Sequence, residues 1–397
     1  MKYAIVLPDG AADFPLPELA GKTPLEAARI PNMDWVSSHG MLGRAVTIPR
    51  GFTPATDVGT LSLLGYDPHE SYSGRAPIEA AAKGLAARPD QMIFRCNLVT
   101  IEDGRMKDFT AGHISQPEAD RILADLNDAL GADGCEFHSS VSYRNLMLLA
   151  DAADMELTCQ PPHDIPGRPV DGLWPRGRGA ERVGEVMRRG ALLLADHPVH
   201  RARRGRGENP PTHIWLWGQG RPTALESFRS RHGLSAALIT GVDILRGLAV
   251  GMGIDLIHVP GATGYIDTDY DGKGAAAARA AKDYDVVIVH VEAADEAGHM
   301  GDAAEKVRAL ERTDEAVMGP LLKELRRHGD FRILVAADHP TPVGSKTHDG
   351  TPPPFCYAGT GVASNGGARF TEAEALGTRL FLDQGHLLLP AFFAAQR

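Results

Sequence analysis

The sequence predicts an α/β fold, in which a core with a mixed, mostly parallel sheet flanked by helices carries a smaller inserted α+β domain. Strand-like and helix-like segments alternate along both ends of the chain. The candidate metal ligands lie at those ends, and the middle passage contributes none of them. We therefore predict a discontinuous catalytic domain of residues 1–77 and 222–397, with an inserted cap domain of residues 78–221.

Three short apolar runs, residues 3–7, 285–291 and 331–336, predict buried strands of the sheet. Carboxylate or imidazole side chains follow each of the three runs. They are Asp9 after the first run, Asp295 and His299 in a glycine-containing loop after the second, and Asp338 and His339 after the third. Because ligands bind outside the carboxyl ends of strands in open α/β sheets, we expect these side chains to share one site.

Other elements follow from similar patterns. A helix is predicted to begin near Thr56. A longer helix over residues 303–328 is predicted to begin at the N-cap residue Asp302 and to kink at residues 319–320, a Gly-Pro pair. The remaining predictions are strands over residues 145–149, 236–239 and 254–259, a helix over residues 118–130 and a turn-rich passage over residues 159–179.

Composition excludes several classes of protein. With 43% hydrophobic and 23% charged residues, the 397-residue chain is typical of a globular protein too long for one compact core. A net charge of −10 disfavours nucleic acid as a partner, and the basic stretch at residues 200–206 is interpreted as a solvated loop. The N-terminus shows no secretory signal, and charged residues interrupt the most apolar long segment, residues 236–259, which argues against a membrane span. Four cysteines without CxxC spacing are typical of reduced thiols in a cytoplasmic protein.

The candidate ligands are numerous enough for two divalent metal ions such as Mn²⁺ or Zn²⁺. The spacing of Asp295 and His299 places both side chains on one face if their loop is helical. Two ions that flank a hydroxyl group are what phosphoryl transfer needs. The predicted metal ligands are Asp9, Asp295, His299, Asp338, His339 and His348, and the candidate nucleophile beside them is Thr56.

Thr56 has two compatible interpretations. A threonine before residues 57–59 is typical of a helix start, where its hydroxyl would satisfy free backbone N–H groups. A hydroxyl at that position would also be a nucleophile that profits from the helix dipole, provided that nearby metal ions activate it.

Seven motifs resemble those of the cofactor-independent phosphoglycerate mutases of the archaeal type, a family of the alkaline phosphatase superfamily. The motifs are LPDG at 7–10, TDVGTLSLLGYD at 56–67, SYSGRAP at 71–77, DFTAGH at 108–113, VPGATG at 259–264, EAADEAGH at 292–299 and ADH at 337–339. The resemblance covers nearly the whole chain. It implies an alkaline-phosphatase-like core and interconversion of 3-phosphoglycerate and 2-phosphoglycerate, in glycolysis and gluconeogenesis, through a phosphoenzyme.

The same resemblance assigns the metal ligands. Asp9, Thr56, Asp338 and His339 look like the ligands of one ion, and Asp295, His299 and His348 like those of the other. Mn²⁺ is the expected metal, with Zn²⁺, Co²⁺ and Mg²⁺ as alternatives, and 2,3-bisphosphoglycerate is not expected as a cofactor. The chain departs from the family at the nucleophile, where Thr56 stands in place of the usual serine.

Arginine and lysine side chains must bind the phosphate and carboxylate groups of such a substrate. Arg144, Arg221 and Lys273 are candidates, and His113 is a candidate acid or base toward the glycerate hydroxyls. The expected partner is a small phosphorylated substrate, without nucleic acid or membrane, and homo-oligomerisation is left open.

Three alternatives remain open from the sequence. Thr56 also suits a phosphomonoesterase or phosphodiesterase built on the same core. A homoserine kinase ranks below these hydrolases because no phosphate-cradling Walker loop occurs in the sequence. A catalytically silent binding protein is disfavoured by the intact set of ligands.

Overall fold

The computed structural model describes residues 1–222 and 225–394. The chain divides into two compact units: unit 1 comprises Met1–Tyr72 and Leu225–Arg397, and unit 2 comprises Ser73–Ala224. These limits lie a few residues from those expected for the domains 1–77 with 222–397 and 78–221. The cap role of the middle segment stays a prediction.

The strands of the described residues are numbered along the chain. They are β1 Lys2–Pro8, β2 Met41–Ala45, β3 Met92–Glu102, β4 Arg105–Asp108, β5 Cys135–Val141, β6 Arg144–Leu149, β7 Glu156–Thr158, β8 Arg176–Arg178, β9 His213–Gly220, β10 Ala236–Ile239, β11 Asp255–Leu256, β12 Val286–Val291, β13 Phe331–Ala336, β14 Pro354–Gly359 and β15 Phe381–Leu382.

The α-helices are numbered in the same way. They are α1 Pro24–Ala27, α2 Pro31–Ser38, α3 Thr56–Leu63, α4 Pro68–Ser71, α5 Arg75–Ala82, α6 Gln116–Leu130, α7 Ala180–Ala195, α8 Pro198–Gly205, α9 Phe228–His232, α10 Asp243–Met252, α11 Tyr270–Asp283, α12 Ala293–Met300, α13 Ala303–Arg312, α14 Gly319–His328, α15 Glu372–Gly377 and α16 Leu388–Ala394. None of the helices in the described ranges is long and apolar enough to cross a membrane.

Unit 1 is built on an eight-stranded sheet with the order β11-β10-β12-β1-β13-β14-β2-β15 among the described residues. β14 runs antiparallel to both of its neighbours, and the other pairings are parallel. The residues of β12 and β13 are all buried, as expected where helices cover both faces of a parallel sheet. The prediction of an α/β fold with a mixed, mostly parallel sheet is confirmed.

Unit 2 has its own antiparallel sheet and its own core. Its strands follow the order β4-β3-β6-β5, and β9 pairs with β3. The buried side chains of α6 and α7 belong to the same hydrophobic cluster as those of β3, β6 and β9. This separate cluster explains why the middle segment forms a compact unit, since each domain needs a core of its own.

The structure corrects four local predictions. The strand expected over residues 254–259 is only Asp255–Leu256, and the loop expected after β12 is the helix α12. The basic stretch, expected to be a solvated loop, lies largely in α8, where Arg203 is buried. Thr56 is the first residue of α3 and Ala55 is its N-cap, so the capping interpretation of Thr56 is wrong.

Residues 303–328 are helical, as predicted, but they do not form one regular α-helix. Asp302 is the N-cap of α13, and its side chain accepts a hydrogen bond from the backbone N–H of Glu305 at 2.8 Å. A π-helical segment, Thr313–Met318, separates α13 from α14. Such insertions are local irregularities that an apolar pattern of helical period does not reveal.

Gly274→Ala tests the close packing of α11 against this π-helical segment. A Cβ atom at Gly274 would lie 1.9 Å from the carbonyl oxygen of Ala316, so we expect a loss of about 1–3 kcal/mol in the free energy of unfolding. Gly251→Ala in α10 is the matched control, because its Cβ would only reach the flexible Leu225 side chain at 3.4 Å. Urea titration measures both. Equal midpoints for the two variants would contradict the close approach.

Candidate active site

The carboxyl ends of three adjacent strands bring the predicted ligands of unit 1 together. β1 lies between β12 and β13 and runs parallel to both, so all three strands end at one edge of the sheet. Asp9 follows β1, Asp338 and His339 follow β13, and α12 begins just after β12. The sheet therefore gathers side chains that are more than 280 residues apart in the sequence.

Asp295, His299 and His348 form the first group of possible metal ligands, group A. The Nε2 atoms of the two histidines lie 3.0 Å apart. The carboxylate oxygens of Asp295 lie 3.2 Å from His299 Nε2 and 3.4 Å from His348 Nε2. Because α12 is helical, Asp295 and His299 lie on one face, as their spacing allows.

Backbone carbonyl groups fix both imidazoles of group A. His299 Nδ1 lies 3.0 Å from the carbonyl oxygen of Lys346, and His348 Nδ1 lies 3.1 Å from that of Pro54. A hydrogen bond at Nδ1 leaves Nε2 to face the site, as is usual for histidines that bind metals. The arrangement therefore suits a cation held by two imidazoles and a carboxylate.

Asp9, Asp338 and His339 form the second group, group B, with the Thr56 hydroxyl beside it. His339 Nε2 lies 3.2 Å from Asp338 Oδ2, 3.6 Å from Asp9 Oδ1 and 3.4 Å from Thr56 Oγ1. Asp9 Oδ1 and Asp338 Oδ2 are buried without a hydrogen-bond partner among the described residues. Buried carboxylate oxygens normally have partners, so this donor set fits a bound cation.

The electrostatics of group B also favour a cation. Burial and the nearby carboxylates of Asp338 and Asp295 raise the pKa of Asp9 well above its ordinary value. Burial lowers the pKa of His339, which keeps its imidazole neutral and able to bind a metal. A divalent ion would neutralise the repulsion between the carboxylates.

In group A, the carboxylate of Asp295 favours protonated imidazoles unless a metal ion is bound. Contact with Asp295 raises the pKa of His299 to about 9. Although burial opposes ionisation of Asp295, hydrogen bonds from His299 and His348 lower its pKa below the ordinary range. Metal binding to group A would therefore displace protons from the imidazoles.

Two glycines allow the backbone to approach the site closely. Gly10 has a φ of +60°, and a Cβ there would lie 2.7 Å from Asp295 Oδ1. At Gly59 in α3, a Cβ would lie 2.6 Å from the carbonyl oxygen of Asp338. The approach of α3 places Thr56, at the N-terminal end of that helix, beside His339. The positive end of the helix dipole at this point favours anions.

Sequence reasoning missed three residues that support the ligands. His290 Nε2 lies 2.8 Å from Asp9 Oδ2, and its Nδ1 lies 3.3 Å from the hydroxyl of Thr240. The Thr341 hydroxyl donates to Asp295 and lies 3.2 Å from His339 Nδ1. Glu292 lies close to Asp9 and His290, and the three residues form a further group of possible metal ligands. The available signal was a polar residue, His290, inside an otherwise apolar strand.

Lys273, a predicted substrate-binding residue, is fully buried in α11. Its Nζ donates to the carbonyl oxygen of His290 at 3.2 Å, and burial lowers its pKa to about 8. The lysine thus lies against the strand that supports Asp9. Its contact with substrate stays a prediction.

The other three predicted residues belong to unit 2. His113 is exposed and lies in the loop after β4, and Arg144 is the exposed first residue of β6. Arg221 follows β9, and its guanidinium donates to the carbonyl oxygen of Met155 at 3.2 Å. His113 and Arg144 both lie near the ring of Tyr143. The ring centroids of His113 and Tyr143 are 6.3 Å apart, and the guanidinium carbon of Arg144 lies 5.7 Å from the Tyr143 ring centroid.

The sheet and the two ligand groups define a protein with an α/β fold built on a mixed, mostly parallel sheet and with side chains able to hold metal ions. The profile of the family described as 2,3-bisphosphoglycerate-independent phosphoglycerate mutase matches residues 37–200. A protein of that name from Methanosarcina acetivorans is 44% identical over 377 residues, which are 95% of each chain. A probable mutase of the same name from Geobacter sulfurreducens is 42% identical, with 98% of each chain covered.

Solved structures agree with this result. A protein from Pyrococcus horikoshii matches with a TM-score of 0.81 at 29% identity, covering 99% of this chain and 96% of that one. The cofactor-independent phosphoglycerate mutase from Thermoplasma acidophilum matches with a TM-score of 0.69 at 27% identity, covering 99% of both chains. The chain therefore belongs to the family of 2,3-bisphosphoglycerate-independent phosphoglycerate mutases, and the resemblance found in the sequence is confirmed.

His290→Ala tests the support of Asp9. Removal of the imidazole leaves Asp9 Oδ2 without its donor in a fully buried position, so we expect a loss of about 1–3 kcal/mol in the free energy of unfolding. Denaturant unfolding in the presence of a chelator measures this loss without a contribution from bound metal. His258→Ala is the control, because His258 is exposed. An unchanged free energy of unfolding in His290→Ala would show that this hydrogen bond does not stabilise the protein.

Proposed function

We propose that this protein is a phosphoglycerate mutase that interconverts 3-phosphoglycerate and 2-phosphoglycerate. The observation that carries the proposal is the position of groups A and B at one edge of the sheet, with the Thr56 hydroxyl beside group B, in a chain whose relatives bear the mutase name. The reaction would belong to glycolysis and gluconeogenesis. The cytoplasmic location of the protein stays a prediction, and its oligomeric state stays open.

Two divalent ions are proposed as cofactors, with Mn²⁺ as the resident metal and Zn²⁺, Co²⁺ or Mg²⁺ as alternatives. Asp9, Thr56, Asp338 and His339 would hold one ion, and the three residues of group A would hold the other. Bound there, the ions would lower the pKa of the Thr56 hydroxyl and neutralise charge on the phosphoryl group. The reaction would need no 2,3-bisphosphoglycerate, in line with the names of the relatives.

The proposed first half-reaction forms a phosphothreonine. Thr56 Oγ1 attacks phosphorus, the new Oγ1–P bond forms and the bond from phosphorus to glycerate O3 breaks. The hydroxyl proton of Thr56 leaves to a base, and glycerate O3 takes up a proton, for which His113 is the candidate donor. The N-terminal end of α3 favours the anionic phosphoryl group at this position.

The second half-reaction reverses these roles at the neighbouring oxygen. The 2-hydroxyl of the reoriented glycerate passes its proton to His113, the candidate that protonated O3, and attacks phosphorus. The O2–P bond forms, the Oγ1–P bond breaks, and Thr56 Oγ1 takes back the proton held by the first base. Arg144, Arg221 and Lys273 are proposed to hold the phosphate and carboxylate groups during reorientation. Unit 2 is proposed to act as a cap that excludes water, because water attack would release phosphate.

An assay of the Mn²⁺-loaded protein tests the proposal directly. It compares formation of 2-phosphoglycerate from 3-phosphoglycerate with release of inorganic phosphate. The threonine at the nucleophile position is the observation that favours a phosphomonoesterase or phosphodiesterase as the second candidate. Phosphate release without mutase product would establish that alternative.

His299→Ala tests the assignment of group A. Because His299 Nε2 faces both His348 and Asp295, its removal should cost about one equivalent of bound metal together with most of the activity. Metal analysis of the purified protein measures the first effect, and the mutase assay measures the second. The exposed His258→Ala variant should keep both properties. Normal metal content and full activity in His299→Ala would exclude this histidine from the site.

Thr56→Ser and Thr56→Val test the nucleophile. Serine keeps the hydroxyl and should keep mutase activity, whereas valine keeps the β-branched shape without the hydroxyl and should abolish activity with little change in stability. Mass spectrometry of protein quenched during turnover should find phosphate on the peptide of residues 53–66. Substantial mutase activity in Thr56→Val would exclude a phosphothreonine intermediate.

A further inference from the structure

The turn that presents His113 has an unusual backbone. Three consecutive residues adopt the left-handed region, with φ values of +48° at Ala111, +67° at Gly112 and +49° at His113. Residues with a side chain rarely adopt this region, and then as single residues. Two such residues around a glycine persist only where surrounding contacts impose them.

Asp108 holds this turn from its N-terminal side. Its Oδ1 accepts hydrogen bonds from the backbone N–H and the hydroxyl of Thr110, at 2.8 and 2.6 Å. Its Oδ2 accepts from the backbone N–H of Gly112 at 2.8 Å and from the side chain of Asn209 at 2.8 Å. The Thr110 hydroxyl in turn accepts from the backbone N–H of His113 at 3.0 Å.

Arg203 of α8 holds the carbonyl side of the same turn. Its Nη2 donates to the carbonyl oxygens of Ala111 at 3.0 Å and Gly112 at 2.9 Å. Its Nη1 donates to Glu118 at 2.8 Å, and its Nε donates to the carbonyl oxygen of Asn209 at 3.1 Å. A Cβ at Gly112 would lie 2.6 Å from Nη2, so the glycine is needed for this contact as well as for its φ.

Arg203 differs from its neighbours in the basic stretch. Its side chain is only 5% exposed, whereas Arg201 and Arg204 are exposed. A guanidinium group presents five donors in a rigid fork, which matches several fixed acceptors at once. A lysine would keep the charge but not this geometry. The burial of Arg203 is therefore explained by the turn that it binds.

We propose that Arg203 and Asp108 are positioning residues that hold the turn of residues 111–113 and so aim the His113 imidazole for proton transfer. The inference rests on the proposed function. His113 is exposed, so burial of its ring does not fix its position, and the backbone must do so. Conformations of this kind, imposed by surrounding contacts, cluster at functional sites. Proton transfer requires such a fixed position, because a displacement of about 1 Å can reduce a rate by about a hundredfold.

Arg203→Lys is the test, with Arg204→Lys as the matched control. We expect faster hydrogen exchange of the Gly112 and His113 amides in Arg203→Lys and a fall of about tenfold or more in kcat, with KM nearly unchanged. In the His113→Ala background, Arg203→Lys should lower kcat no further, because both changes act through the same imidazole. Arg204→Lys should change neither exchange nor kcat.

Several outcomes would overturn the proposal. The first is hydrogen exchange of the Gly112 and His113 amides at the wild-type rate in Arg203→Lys, and the second is full activity in that variant. The third is a loss of kcat on Arg203→Lys substitution that is equal in the wild-type and His113→Ala backgrounds. If Arg203→Lys does not fold, Asp108→Asn gives the same test from the other side of the turn. A wild-type protein that forms no 2-phosphoglycerate would defeat the proposed function instead, and amide exchange would still decide whether Arg203 holds the turn.

Discussion

The burial of several carboxylates at one edge of a sheet is the constraint on which the rest of unit 1 depends. Asp9, Asp295 and Asp338 are each no more than 2% exposed. Their strands and helix bring Asp295 close to His299 and His348, and bring Asp9 and Asp338 close to His339. Buried like charges are unfavourable unless a cation, a proton or hydrogen-bond donors compensate them. The surrounding structure supplies donors to some of these oxygens and leaves others open.

The two ligand groups solve this problem differently. In group A, two imidazoles and the Thr341 hydroxyl surround the carboxylate of Asp295. In group B, one imidazole serves two carboxylates, and two carboxylate oxygens have no partner in the described part of the chain. Group B is therefore the more anionic and oxygen-rich set, which suits a hard cation, and group A suits metals that accept nitrogen. A chain that held ions at both groups would place them in unlike surroundings.

Much of this arrangement was readable from the sequence because apolar runs identify buried strands. β10 and β13 have the predicted limits, and the ends of the runs that form β1, β12 and β13 led to five of the candidate ligand residues. The helix α12 was missed because the eight residues after β12 are too few to show a helical period. Arg203 was missed for a different reason. A run of arginines suggests solvent exposure on average, and the single inward side chain depends on a turn about 90 residues away.

Thr56, the proposed nucleophile, lies beside the candidate metal ligands of group B. A serine hydroxyl in the first turn of a helix can rotate among staggered positions, whereas the β-methyl group of threonine restricts χ1. Thr56 is 9% exposed and its Oγ1 lies 3.4 Å from His339, so its rotation is limited further by the packing of α3 against Asp338. A hydroxyl held in this way needs less reorganisation before it reacts. A threonine at the proposed nucleophile position is therefore compatible with phosphoryl transfer, and its placement depends on Gly59, which lets α3 approach Asp338.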